Sequence, residues 1–285
     1  MDVTMKESFC GDLHVHSRYS DGSLFVRELV PMASKAGLSV MALTDHDTMA
    51  GWEEAIALGK TYRVSVIPGV EFSTRDPATG RKAHLLVYGP KKPDVLQPLC
   101  DRMAQERQKN AEQMIEKISH RYPIDRDLVL RCAQGCVTLF KQHIMLALRE
   151  AGVVDRLYGP LFRELFGRGG CAYVPTQYPS VHEVARVARA SGGVVVLAHP
   201  GEYKSLALLR QMAQNGEVDG AEYWHPRNTP EDKEEIAAIA AEFSLLLTGG
   251  TDFHGSHSEP PHPLGTFQTP RETCYELLNR IKATK

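Results

Sequence analysis

Six short apolar runs, each closed by polar residues, constrain the fold of this sequence more than any other feature. They are SVMALT (39–44), VSVIPGV (64–70), AHLLVY (83–88), GVVVLA (193–198), DGAEYW (219–224) and SLLLTGG (244–250). Runs that are apolar without alternation and bounded by turns suit the strands of a parallel sheet buried on both faces. Helical stretches lie between several of them. In 231–243, Ile236, Ile239, Ala240 and Phe243 form one apolar stripe behind Pro230 at a first helical turn. One strand and one helix in about 25 to 30 residues is the pattern of a βα barrel or a doubly wound sheet.

The middle third breaks this rhythm. Between Pro98 and Pro179 no comparable strand series occurs, and 100–120, 141–151 and LYGPLFRELFGRGG (157–170) read as helices. The spacing predicts an α/β barrel over 1–97 and 180–285, interrupted at 98–179 by a mostly helical insertion that caps the substrate. The insertion's own apolar content reads as modest.

The barrel reading gives meaning to GDLHVHSRYSDGS (11–23). His14 and His16 are two apart, so on an extended segment both imidazoles face one side. Further donors follow later runs: Asp45 and His46 in ALTDHDT, Glu71 in PGVEFS, His84 in KAHLL, His199 in LAHP, and Asp252 and His254 in GGTDFHG. The ends of parallel barrel strands converge on one face, so residues far apart in sequence share one pocket there. Each group alone is an ordinary capped strand end or packed histidine. Taken together, His14, His16, Asp21, His46, Glu71, His84, His199, Asp252 and His254 are too many for one ion, and fit two or three ions sharing a bridging carboxylate. Imidazole and carboxylate without thiolate favour Zn²⁺, Mn²⁺ or Fe²⁺.

Composition narrows the class. Lys plus Arg number 33 against 35 Asp plus Glu, a net charge of −2, which argues against a broad groove for long duplex nucleic acid. No apolar run approaches a membrane span. The start, MDVTMKESFC, has no apolar stretch of the export-signal kind. The six cysteines, of which only Cys132 and Cys136 are near each other, read as free thiols of a cytoplasmic protein. Oligomeric state is not legible.

With these residues in view, DLHVHS…SDGS, LTDHD, PGVEFS, LAHP and GGTDFHG resemble the motifs of the PHP family, named for polymerase and histidinol phosphatase. The resemblance spans roughly 8–97 and 180–270. It implies a distorted (β/α)7 barrel with a trinuclear metal site. The first metal would take His14, His16, Glu71 and Asp252; the second Glu71, as bridge, with His84 and His199; the third Asp21, His46 and His254. Within the family, QHIMLALREAG, GAEYWHPRNTPED and the insertion are similar to the branch of nucleoside 3',5'-bisphosphate phosphatases and 5'-to-3' exoribonucleases of short RNA. In that branch the insertion lies over the metals, and His143 and Arg227 match its substrate side. The chain departs from the branch's Arg-Pro-His with Lys141-Gln142-His143 and from its Pro-Arg-His with Pro226-Arg227-Asn228.

The resulting expectation is a metal-dependent phosphoesterase that attacks phosphomonoesters of nucleotides with metal-activated hydroxide. Glu71 bridges the ions, Asp45 orients His46 or a neighbour, and His254 stands beside the reaction. Arg227 is a candidate phosphate fork, or else pairs with Glu231 or Asp232. Lys141, Arg18, His143, His225 and His257 complete the substrate candidates, with His225 equally readable as packing beside Trp224. The rivals are a histidinol-phosphate-type or other small-molecule phosphatase, an amidohydrolase barrel, and a non-catalytic metal-stabilised nucleotide-binding module.

Overall fold

The computed structural model describes residues 10–283, so the reading of the first residues as free of an export signal lies outside it, Cys10 apart. The chain runs β1 (Gly11–Val15), α1 (Val26–Lys35), β2 (Val40–Leu43), α2 (Trp52–Tyr62), β3 (Ser65–Arg75) and β4 (Lys82–Tyr88). A helical segment follows: α3 (Gln97–Ser119), α4 (Arg126–Cys132), α5 (Lys141–Glu150) and α6 (Pro160–Phe166). The alternation resumes with α7 (Val181–Ala190), β5 (Val194–Ala198), α8 (Leu206–Gln214), β6 (Gly220–Trp224), α9 (Pro230–Phe243), β7 (Leu246–Gly249) and α10 (Arg271–Ala283).

The seven strands form one sheet in sequence order. It curls until β1 meets the end of β7, where His16 N–H donates to Phe253 O at 2.9 Å. The result is a nearly closed, barrel-shaped sheet. Six strands share one direction, but β4 is antiparallel to both β3 and β5. The wholly parallel sheet that the apolar runs imply is therefore corrected. Only residues 76–81 join β3 to β4, too few for a parallel crossover, which needs a dozen or more. Glu71 also differs from its expected place after a strand. β3 continues through it, pairing with β2 over Ser65–Pro68 and with β4 over Gly69–Arg75.

The helices cover the sheet for ordinary reasons. In α1, Val26, Leu29, Val30 and Ala33 are buried at helical spacing, while the Glu28 carboxylate accepts from the Phe25 N–H. Pro230 opens α9 behind a reciprocal cap, with Thr229 Oγ1 accepting from Asp232 N–H and Asp232 from Thr229 N–H.

The helical segment is better filled than its sequence reads. Met114, Ile118, Val129, Ile144, Leu148, Leu157 and Phe166 belong to an apolar cluster of its own. It is tied to the barrel by a partly buried ion pair, Arg107 of α3 donating to Asp47 Oδ2 and to Ser73 Oγ, each at 2.6 Å. Among the described residues no helix is long and apolar enough to cross a membrane.

Candidate metal centre

Every strand delivers something to one mouth of the barrel. β1 and its exit carry His14 and His16, and the following loop carries Asp21. Beyond β2 lies His46, β3 holds Glu71, β5 leads to His199, and β7 leads to Asp252 and His254. His84 stands near the start of β4, not its end. The reversal of β4 is what brings that start to the same mouth as the ends of its neighbours. Local backbone is bent to this purpose: His199 (φ 28°) and Asp252 (φ 51°) both occupy the left-handed region, a strain that persists only where surrounding structure enforces it. Gly250 is required by close approach, since a Cβ there would lie 2.4 Å from the Cβ of His14.

Glu71 is the hub. Its Oε2 lies 3.1 Å from His14 Nε2, 3.2 Å from His16 Nε2 and 3.1 Å from His46 Nδ1. Its Oε1 lies 2.8 Å from His84 Nδ1 and 2.9 Å from His199 Nε2. One carboxylate thus offers each oxygen to a different set of imidazoles. Asp252 Oδ1 is 3.4 Å from His14 Nε2 and 3.3 Å from His16 Nε2. His254 Nε2 is 3.2 Å from Asp21 Oδ1, and His46 Nε2 is 4.0 Å from Asp21 Oδ2.

These donors suit divalent metal. Several of the buried side-chain polar atoms that lack a hydrogen-bond partner belong to this cluster, among them His14 Nε2, both ring nitrogens of His16, His46 Nδ1 and Glu71 Oε2. Buried polar atoms are rarely left so. Their aligned donor sets, His14–His16–Glu71–Asp252, His16–Asp21–His46–His254 and His46–Glu71–His84, each lie within 4.8 Å.

Without metal the charges contend. Burial pushes the carboxyls of Glu71, Asp21 and Asp252 up, but the imidazoles around them outweigh it and hold all three well below the usual range. Burial drives His46 well down, keeping it neutral. Burial also opposes a charged His254, yet Asp21 and Asp252 carry it up to about 10. Likewise the Glu71 carboxylate carries His199 up to about 9 against burial.

The remaining expected residues divide. Arg227 and His257 line the cavity over the cluster, a space of about 640 Å³ that also touches Gln142, Tyr158 and Tyr203. His225 is fully buried below Arg227, its Nδ1 accepting from the Arg227 N–H while Nε2 faces Asp252 Oδ2 at 3.4 Å. Asp45 does not face the cavity. Its oxygens accept from Ser17 N–H, Ser17 Oγ and Ser20 Oγ, which fixes the loop after His16 and makes no hydrogen bond to His46. His143 is buried with Nδ1 accepting from the Phe140 N–H, where it caps α5. Lys141 lies 5.4 Å from the Phe166 ring and Arg18 lines a neighbouring cleft; neither lines the central cavity.

Two residues escaped the sequence reading. Glu222, fully buried in β6, accepts from His14 Nδ1–H at 3.0 Å and from the His199 N–H at 2.9 Å. This fixes the His14 tautomer, leaving its Nε2 lone pair toward Glu71. A carboxylate inside an apolar strand was the available signal. Gln142 Nε2 donates to Asp21 Oδ2 at 3.0 Å, so the helical segment touches the cluster directly.

A carboxylate shared among imidazoles at the mouth of an α/β barrel, with an arginine across the cavity, defines a metal-dependent phosphoesterase. Residues 12–244 match the PHP domain, and the chain belongs to that family. It is 35% identical, over 88% of its length and 96% of the relative's, to a phosphoribosyl 1,2-cyclic phosphate 1,2-diphosphodiesterase of Eggerthella lenta. It is 28% identical to a 3',5'-nucleoside bisphosphate phosphatase of Chromobacterium violaceum, covering 95% of this chain and 96% of the other. Among solved structures, a Bifidobacterium adolescentis protein described as a metal-dependent phosphoesterase superposes with a TM-score of 0.87 at 34% identity, covering 95% and 96% of the two chains.

Proposed function

We propose that the protein hydrolyses a phosphate ester on a ribose unit that carries a second phosphate, as in a nucleoside 3',5'-bisphosphate or a 5'-phosphorylated short oligoribonucleotide. The observation that carries this reading is Glu71 dividing its two oxygens among five imidazoles, with Arg227 on the wall of the same cavity. Both relatives named above act, by their names, on ribose or nucleoside units bearing more than one phosphate linkage.

Two or three ions of Mn²⁺, Fe²⁺ or Zn²⁺ fit the donors. His14, His16, Glu71 and Asp252 would hold one, Glu71, His84 and His199 a second, and Asp21, His46 and His254 a third. Such ions supply Lewis-acid charge stabilisation and a nucleophile of lowered pKa. The chain's own residues do the rest. Glu71 sets the spacing of the donor sets, Glu222 orients His14 through the bond described above, and His225 stands behind Asp252 at 3.4 Å. Arg227 presents a guanidinium, which is pre-shaped to grip a phosphate through two parallel hydrogen bonds. His257 donates from Nδ1 to Asp21 O at 2.8 Å, which leaves Nε2 as the free ring nitrogen at the cavity wall. The helical segment, 98–179, caps the substrate through Gln142 and Tyr158, over a barrel of 1–97 and 180–285. Six free thiols suit a cytoplasmic setting.

Phosphate release from a panel of nucleotides, bisphosphates, short RNAs, histidinol phosphate and p-nitrophenyl phosphate, with Mn²⁺ present, tests the reading. Arg227→Ala should raise KM for bisphosphates about 10- to 100-fold, the value of a lost charged hydrogen bond, while leaving the aryl phosphate within about twofold. Far faster turnover of histidinol phosphate or a sugar phosphate than of any nucleotide would refute the substrate assignment.

A further inference from the structure

A second concavity borders the metal cavity, and His257 forms part of the wall of both. It has a volume of about 500 Å³ and draws its lining from four separate parts of the chain. Arg18 comes from the loop after β1, Arg131 from the last turn of α4, and Arg149 from the last turn of α5. Against these three guanidinium groups the lining offers one carboxylate, Glu150. Among the described residues none of the three arginines forms an ion pair, whereas Arg102, Arg107, Arg126 and Arg189 each do so.

Cys132, also in the lining, adds no negative charge. Burial and its bond to Glu150 push its thiol up to about 11, despite Arg131 and Arg149 beside it. Arginine at the end of a helix is favoured by the helix dipole alone, and this accounts for Arg131 or Arg149 singly. It does not account for the convergence on one cleft of two helix ends and Arg18, whose Nη2 donates to Cys132 O at 3.4 Å. A concave surface with three guanidinium groups in no ion pair, Ser23 and Ser256 at its edge, and a wall shared with the active site fits an anion joined to the substrate.

We propose that this cleft binds the next phosphodiester of a single-stranded ribonucleotide chain whose terminal phosphate lies in the metal cavity. The proposal rests on the substrate reading above and extends it, since a lone bisphosphate would fill the metal cavity and leave the cleft empty. The cleft therefore confers a preference for short oligoribonucleotides over mononucleotides. His257, on both walls, stands where the chain passes from one space to the other.

The test compares the metal-loaded wild type with the double variant Arg131→Gln/Arg149→Gln. Three substrates are used: a 5'-phosphorylated pentaribonucleotide, adenosine 3',5'-bisphosphate and p-nitrophenyl phosphate, each from 50 to 200 mM salt. The variant should raise KM for the pentamer by about tenfold or more. Its log KM against log salt should become shallower by about 1.4, the loss of two single-strand phosphate contacts. Turnover of the bisphosphate and the aryl phosphate should stay within about twofold, which also shows that the variant is folded. An unchanged KM and salt slope for the pentamer, or an equal loss on all three substrates, overturns the cleft assignment alone. A wild type that cleaves neither the pentamer nor the bisphosphate while cleaving the aryl phosphate overturns both the cleft and the substrate reading.

Discussion

Replacing Glu222 by Gln tests how far this centre depends on a residue outside its donor set. The carboxylate is fully buried and accepts two hydrogen bonds, from His14 Nδ1–H and from the His199 N–H. Glutamine keeps the shape but has one acceptor oxygen. If that oxygen serves His14, the new NH₂ meets the His199 N–H, and a buried donor without a partner costs about 1–3 kcal/mol. His199 already holds a strained φ of 28°, so its backbone has little freedom to turn away. If the amide is reversed, its NH₂ donates to His14 Nδ1, the proton moves to Nε2, and the lone pair aimed at Glu71 is gone. Either outcome weakens the metal site, by the 10- to 100-fold typical of lost ligand-orienting bonds, or about 1.4–2.7 kcal/mol. Competition of the protein with a chelator for Zn²⁺ or Mn²⁺ measures this directly, with chemical denaturation of the metal-free protein reporting the folding cost separately. A Glu222→Gln protein with metal affinity within about twofold of wild type would refute the reasoning.

Glu71→Gln should lower kcat by on the order of 10²–10³ and exceed the loss in His254→Ala, because Glu71 offers its oxygens to five imidazoles while His254 faces two carboxylates, Asp21 and Asp252; steady-state kinetics on one substrate ranks the two. His143 gives a pH test, since burial drives its imidazole down to about 4 while an unfolded histidine titrates near 6.5. Between those values the unfolded chain binds the extra proton, so stability is fully present above about pH 6.5 and falls as pH drops toward 4, by up to about 3 kcal/mol. His143→Gln keeps an acceptor for the Phe140 N–H and should flatten that part of a urea-denaturation pH profile; an unchanged profile would place the acid sensitivity elsewhere.

Much of the donor cluster was legible because its members sit in strands or just after them. His-x-His before a turn, and Asp-x-His after SLLLTGG, are patterns that packing alone does not require. The direction of β4 was equally available, since a link as short as 76–81 permits a hairpin and forbids a helical crossover, but apolar runs read the same in either direction. Glu222 was hidden for a different reason. Its role lies in two hydrogen bonds made across the barrel, to β1 and to the end of β5, and no local spacing encodes them. Asp45 divides the expectation that it orients His46 or a neighbour: its oxygens accept from Ser17 and Ser20, in the loop directly after His16, and not from His46. The substrate candidates were least legible, because Lys141 and His143 owe their positions to how the helices pack and Arg18 to the loop after β1, neither of which the sequence periodicity determines.

The central claim is that one bridging carboxylate organises several ions. Elemental analysis of metal-replete, buffer-exchanged protein, run beside Glu71→Gln, tests it most directly. The account predicts two or three divalent ions per wild-type chain and a loss of more than one ion in the variant. At most one ion per wild-type chain would contradict it.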